Sequence, residues 1–110
     1  MIDDTLNELE QKIKTYGALP EDKQKELVLL LAELKKEITQ LAKTKSEAAE
    51  SIAGFTKLST YEATRQQKNP KLLDLSLKGL SESVLEFEAT HPKLVERVNA
   101  ICTSLANLGI

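Results

Sequence analysis

The residues best suited to metal chemistry are Glu88 and His91, which stand three positions apart. This is the spacing of the carboxylate–histidine motif of di-iron helical bundles, in which both side chains project from one helical face onto a metal. A di-metal site needs two such motifs and two further carboxylates, for which Glu82 or Glu86 are available, but the chain has one histidine. Pro92 also drives His91 out of the helical region. We therefore predict a turn or N-cap role for His91 and no metal ligands, with a carboxylate metal-binding bundle as the second alternative.

The single cysteine, Cys102, is a second candidate for chemistry. It follows Ile101 on the flank of an apolar stripe, and no basic residue lies nearer in sequence than Arg97 to lower the pKa of its thiol. These surroundings predict a small buried or half-buried side chain. No Ser–His–acid arrangement can be identified, and four scattered glycines make no phosphate-binding loop. We predict a protein that is not an enzyme, with no catalytic residues and no cofactor.

Cations between positions 57 and 71 are the candidate contacts for a polyanion. They are Lys57, Arg65, Lys68 and Lys71, with Tyr61 among them. Cations and an aromatic ring on a mobile segment can hold a phosphate backbone and stack a base. The chain as a whole has 15 basic and 17 acidic side chains, so no net positive field favours nucleic acid. A solvated linker is the favoured interpretation, and weak nucleic-acid or polyanion binding is the alternative.

The elements that position these groups are set by apolar residues that recur at alternating three- and four-residue steps, the pattern of one helical stripe facing one partner. Two segments of the pattern are Ile2, Leu6, Leu9, Ile13, Tyr16, and Leu27, Leu31, Leu34, Ile38, Leu41, Lys45, Ala48, Ile52. Two more are Leu73, Leu77, Leu80, Val84, Phe87, and Leu94, Val98, Ile101, Leu105, Leu108. The pattern predicts four helices and an all-α fold.

Helix-breaking residues set the ends of the first two predicted helices. The first begins near residues 3–5 and ends at Gly17, because glycine suits the left-handed C-terminal position. The second begins at Pro20, which suits the first helical turn, and its stripe continues to about Ile52. The short connection makes these two helices an antiparallel hairpin.

The last two predicted helices form a second hairpin. Asn69 and Pro70 begin the third helix, and Pro92 separates it from the fourth. The fourth ends at Gly109, with Ile110 folded back onto the last turn. We therefore predict one domain, 1–110, in which hairpins at 1–53 and 70–110 with coiled-coil-like heptad seams are joined by a flexible linker at 54–69. The expected assembly is a bundle or an elongated oligomer.

The predicted second helix outruns its partner, since roughly 50 Å of it faces roughly 20 Å of the first. Its far half would expose an apolar strip, which monomers rarely tolerate. The candidate oligomer or partner seam is Leu34, Ile38, Leu41, Lys45, Ala48 and Ile52. We predict a homo-oligomer, with a dimer favoured, that acts as a protein–protein interaction or adaptor module for an unknown protein partner.

One part of the chain resembles a known family. The segments Phe87–Leu94, FEATHPKL, and Ser104–Ile110, SLANLGI, resemble the C-terminal signature of a family of short bacterial proteins catalogued as a domain of unknown function. The resemblance implies a small, soluble, helical bacterial protein and supplies no catalytic residue. The acidic first residues do not resemble a signal peptide, and the longest apolar run, Leu27–Ala32, is too short to span a membrane. We expect a cytoplasmic protein that does not contact membranes.

Overall fold

Five α-helices make up most of the chain, and the residues described by this computed structural model, 2–15 and 19–108, contain no strand. The helices are α1 (Ile2–Thr15), α2 (Glu21–Ala42), α3 (Ser46–Thr64), α4 (Pro70–Glu82) and α5 (Pro92–Leu108), with a 3-10 turn at Leu85–Phe87. The all-α prediction is confirmed, whereas four helices in two hairpins are not. The predicted helix ends at Gly17 and Gly109, and the docking of Ile110, lie outside the described residues.

The first two helices run antiparallel, as two side-chain bonds between them show. Gln24 Nε2 donates to the carbonyl oxygen of Lys14 at 2.7 Å, and Lys35 Nζ donates to Asn7 Oδ1 at 2.7 Å. The later contact on α2 therefore meets the earlier contact on α1. Pro20 precedes α2, and the acidic Glu21 in its first turn stabilises the positive, N-terminal end of the helix dipole.

The prediction that the second helix continues to Ile52 is wrong, because α2 ends at Ala42 and the chain turns back. Lys45 lies outside both helices with φ −135° and ψ 65°, and Ser46 begins α3. No proline or glycine marks this turn, and the step from Leu41 to Lys45 keeps the phase of the stripe. The packing of α3 stabilises the turn, since folding this helix back buries Ile52, which a continuous helix would expose.

The predicted linker at 54–69 is also wrong for most of its length. Residues 54–64 belong to α3, and only residues 65–69 connect it to α4. The two threonine hydroxyl groups on the buried face of α3 are satisfied within the helix: Thr56 Oγ1 donates to the carbonyl oxygen of Ile52 at 2.8 Å, and Thr60 Oγ1 donates to that of Thr56 at 2.8 Å. Such bonds remove most of the cost of burying a hydroxyl group. The polar composition of this segment therefore does not prevent burial.

The fourth helix begins as the sequence predicts and ends earlier. Asn69 Oδ1 accepts hydrogen bonds from the backbone N–H groups of Lys71 and Leu72 at 3.1 and 3.2 Å, which confirms Asn69 as the N-cap. The prediction that this helix continues until Pro92 separates it from the next is wrong, because α4 stops at Glu82. The 3-10 bonds of the following turn are tighter than α-helical ones, and they keep Phe87 in the core while the chain reverses into α5.

A single core collects side chains from every helix. The longest buried ridge is on α2, where Leu27, Leu31, Leu34, Ile38 and Leu41 are at most 1% exposed. The third helix packs against each of the other four helices, and the molecule measures 37 × 25 × 21 Å. Among the helices that the structure describes, none combines the length and apolar character needed to cross a membrane.

Candidate interaction surface

The predicted oligomer seam lies largely inside the molecule. Leu34, Ile38, Leu41 and Ile52 are buried, Ala48 is half-buried against the core, and Lys45 is exposed in the turn. The overhang on which this prediction depended does not exist, because α2 ends at Ala42 and the rest of the predicted helix folds back as the turn and the start of α3. In this structure the apolar seam residues pack in the core of the chain and do not form an exposed strip that a partner could contact.

Large apolar side chains are exposed elsewhere, and most of them are on two neighbouring helices. Within the described residues the exposed ones are Leu29, Phe55, Leu58, Tyr61, Leu72, Leu75 and Leu85. Five of these seven belong to α3 and α4, and we call the surface formed by Phe55, Leu58, Tyr61, Leu72 and Leu75 the α3–α4 face. Scattered exposed leucines are ordinary, but a cluster on one face indicates a contact surface.

The pairing of the two helices makes the α3–α4 face continuous. The Phe55 ring lies where a side chain on Gly79 would stand, with Cδ1 2.7 Å from the position of a Cβ atom. A residue in the middle of α3 thus meets one late in α4, and the short connection at residues 65–69 makes the two helices an antiparallel pair. On α4, Leu72 and Leu75 lie on the same side of the helix as Gly79, at helical spacing. In the antiparallel pair they therefore lie beside the part of α3 that begins at Leu58. Glycine at position 79 provides the room that the Phe55 ring occupies.

A groove between α1 and α3 adjoins the α3–α4 face. It has a volume of about 440 Å³, and the buried residues Leu9 and Ile13 of α1 form its apolar floor. Leu58 and Tyr61 are its walls, and the exposed Gly54 also lines it. Large apolar area, concave shape and exposed aromatic side chains are the features of a protein-binding surface.

Cations surround the aromatic wall of this groove. Lys12 Nζ lies 5.6 Å from the centroid of the Tyr61 ring, and the guanidinium carbon of Arg65 lies 5.8 Å from it. Both distances are within the range of cation–π attraction. Arg65 also donates to Glu62 Oε1 at 2.9 Å, and this hydrogen bond raises the pKa of Arg65. Lys12 is not among the predicted cations because it belongs to α1, far from positions 57–71 in the sequence.

The four predicted polyanion contacts are not gathered into one patch. Lys57 and Arg65 line the groove, and Lys68 and Lys71 do not. Lys68 Nζ instead donates to the carbonyl oxygen of Leu108 at 3.1 Å. A cation at this position stabilises the negative, C-terminal end of the α5 dipole. Lys71 is exposed in the first turn of α4. Two of the four cations are thus engaged by the protein itself, through Glu62 and Leu108.

His91 and Cys102, the residues considered for metal binding and nucleophilic chemistry, make contacts that belong to the fold. His91 precedes α5, its Nδ1 atom lies 2.9 Å from Thr90 Oγ1, and its ring meets Phe87 edge to face at 5.4 Å. No group of three or more His, Cys, Asp or Glu side chains suited to a metal occurs in the described part of the chain. Cys102 is half-buried with Sγ 3.7 Å from Ser81 Oγ, and burial raises the pKa of its thiol. A raised pKa reduces the thiolate fraction and with it the nucleophilicity of this residue.

Comparison of the chain with family models, with curated proteins and with solved structures found no match. The likeness of residues 87–94 and 104–110 to a bacterial family therefore stays a prediction.

Proposed function

We propose that this protein is a non-enzymatic interaction module that binds a helical surface of another polypeptide chain on the α3–α4 face and the adjoining groove. The concentration of five exposed large apolar side chains on two packed helices carries the proposal. Full burial of a large apolar side chain contributes about 1.5–3 kcal/mol, and these five, at 36–54% exposure, have reached only part of it. A partner that covers them recovers part of that free energy, which is the ordinary driving force for association.

The sequence predicts self-association through the seam from Leu34 to Ile52. We propose the α3–α4 face as the contact surface in its place. An adaptor role, a cytoplasmic location and a bacterial origin remain part of the proposal. A helix is the expected contact because grooves between helices receive a third helix through side chains at helical spacing. The groove floor at Leu9 and Ile13 and the wall at Leu58 offer such spacing.

Polyanion binding is the weaker alternative. The engaged cations Arg65 and Lys68 would have to leave Glu62 and the Leu108 carbonyl group before they could hold phosphates. Glu47 and Glu50 are also exposed on α3, where they would repel a phosphate backbone. Apolar area, in contrast, is abundant on the same surface.

Site-specific photo-crosslinking tests the proposed surface without assuming which protein binds. A photo-reactive amino acid replaces Leu58 in one variant and Leu29 in a matched control, since Leu29 is the more exposed of the two, at 60% against 45%, and lies on α2. We expect a discrete protein adduct in native cells from position 58 and none from position 29. The absence of an adduct at position 58, or equal adducts at both, would contradict the proposal.

A further inference from the structure

We infer that the partner on the α3–α4 face is a second copy of this chain, bound with its α3 antiparallel to the α3 of the first. This inference rests on the proposed function, because it names the occupant of the same surface. It depends on the order of charges along α3 and on the space around Gly54.

The outward side of α3 is divided into an acidic half and a basic half. At about 100° per residue, the side opposite the buried residues Ala49, Ile52, Thr56 and Ala63 carries Glu47, Glu50, Gly54, Lys57, Leu58, Tyr61 and Arg65. The two acids come first and the two cations come last. Glu47, Glu50 and Lys57 are exposed, and Arg65 is half-buried beside Glu62.

A second α3 in antiparallel orientation matches these halves in both directions. Sequence position 53.5 lies midway between Glu50 and Lys57, and position 56 midway between Glu47 and Arg65. A two-fold axis near Gly54 therefore brings the acidic half of each copy beside the basic half of the other. A parallel pair would place Glu50 against Glu50 and Lys57 against Lys57, which is repulsive. The charge order selects the antiparallel arrangement.

The middle of the same helix allows two copies to come close. Among the described residues, no atom beyond the chain neighbours and the backbone of α3 itself lies within 4 Å of the position of a Cβ on Gly54, so none of them fills this site. The distance between two packed helices is set by the side chains at the contact. Glycine at the crossing point permits close approach, and Leu58 on either side of the axis then packs against the other copy. The two-fold contact covers Leu58 of both chains at once.

The basic half extends onto α1. Lys12 lies over the Tyr61 ring, at the end of the groove that faces the acidic half of the second copy. Glu50 of the partner subunit would meet Lys57 and come near Lys12. The groove is thus continuous with the proposed interface, and it adds an ionic contribution to the apolar contact.

Sedimentation velocity over a range of concentrations at low salt measures the association. We expect wild-type protein to reach twice its chain mass of 12.2 kDa. Glu50→Lys and Lys57→Glu are each expected to weaken the dimer about tenfold in Kd, because each places like charges at both ends of the contact. An equimolar mixture of the two variants restores opposite charges at both ends, so we expect it to recover wild-type affinity as a heterodimer.

Matched controls separate this ionic pattern from a general effect of charge. Glu86→Lys and Lys36→Glu change exposed residues outside α3 by the same amount, and we expect wild-type association from both. Glu47 is left in place because it stabilises the N-terminal end of α3, and Arg65 because Glu62 depends on it. Circular dichroism spectra that match the wild type establish that both α3 variants are folded.

Three results would overturn the inference. They are a wild-type mass of 12.2 kDa at concentrations up to about 1 mM, a dimer that neither charge reversal weakens, and a mixture that does not regain affinity. A monomeric protein that still gives an adduct of another mass at position 58 would reject the second copy and leave the interaction module intact. The absence of an adduct at position 58 would reject the module itself.

Discussion

One continuous apolar stripe in the sequence runs through α2 and into the start of α3, yet the two helices use their large side chains differently. In α2, Leu31, Leu34 and Ile38 point into the core and are fully buried. In α3 the buried face is made mostly of small residues, such as Ala49, Ala53, Thr56 and Ser59. Ile52 is also buried there, but Phe55, Leu58 and Tyr61 are exposed. The difference shows that residue size and burial can be separated within one domain.

A geometric reason explains the contrast. Since α3 packs against the four other helices, its inner side chains must be short enough to let several backbones approach it. Threonine and serine meet this requirement when their hydroxyl groups donate to the helix's own carbonyl groups. Apart from Ile52, which is fully buried, the large apolar residues of α3 lie at least partly exposed. In α2, by contrast, the buried ridge of large side chains from Leu27 to Leu41 fills the space between this helix and α1, α3 and α5.

The largest expected effect tests whether α2 carries the stability of the fold. Leu34→Ala removes a fully buried side chain, and we expect it to lower the free energy of unfolding by about 2–5 kcal/mol. Leu29→Ala, five positions away on the exposed side, is the control and should change it by less than about 0.5 kcal/mol. Urea denaturation measures both. Equal losses would show that the buried ridge is not what distinguishes α2.

The contact between α3 and α4 is tested next, at Gly79. Gly79→Ala adds a methyl group where the Phe55 ring lies, and we expect a loss of about 1 kcal/mol although alanine favours helices. The double variant Gly79→Ala/Phe55→Ala removes the overlap, so it should be more stable than Phe55→Ala alone. Thermal denaturation of the four proteins forms a double-mutant cycle. Additive changes would mean that the ring does not occupy this space.

Ser59 sharpens the contrast at a smaller magnitude, because its buried Oγ is without a hydrogen-bond partner among the described residues. Ser59→Ala removes an unpaired hydroxyl group and introduces a better helix former, so we expect a gain of about 0.5–1 kcal/mol. Ser76→Ala is the control, since its hydroxyl group donates to the carbonyl oxygen of Leu73 at 2.8 Å. The control should be close to neutral in the same chemical denaturation assay. A loss at position 59 would indicate that the hydroxyl group is bonded after all.

The smallest effect on stability is expected where a partner contact is proposed. Leu58→Asp changes an exposed side chain of α3, so the free energy of unfolding of the monomer should change by less than about 0.5 kcal/mol. Dimerisation, measured by sedimentation, should be lost. Leu29→Asp is the matched control and should leave both quantities near wild type. A large loss of monomer stability from Leu58→Asp would show that the α3–α4 face is part of the fold.

The parts of the fold that sequence predicts are those where one local signal dominates. The ridge from Leu27 to Leu41 follows helical periodicity, and each of its members is buried. Asn69 is a strong N-cap, and its side chain accepts the expected backbone hydrogen bonds. Pro92 begins α5, as the restriction on the residue before proline indicates. These signals act within a few residues and need no knowledge of tertiary contacts.

The parts that sequence missed depend on contacts between distant segments. The turn at Lys45 keeps the heptad phase, so periodicity cannot detect it. The turn is stable because α3 packs against α1 and α2. Hydrophobicity also concealed α3, since its buried face is rich in hydroxyl groups. One usable signal was present: Thr56, Thr60 and Thr64 recur every four residues, and all three hydroxyl groups donate to carbonyl oxygens four positions earlier. The interaction surface could not be predicted while α3 was taken for a linker.

The central position of α3 also bears on how the chain unfolds. Because this helix contributes to the packing of both ends of the sequence, neither α1 with α2 nor α4 with α5 has a complete core of its own. Loss of α3 uncovers both pairs together, so partly folded states retain little of the native burial. The domain should therefore behave as one cooperative unit, in which the calorimetric and van't Hoff enthalpies agree.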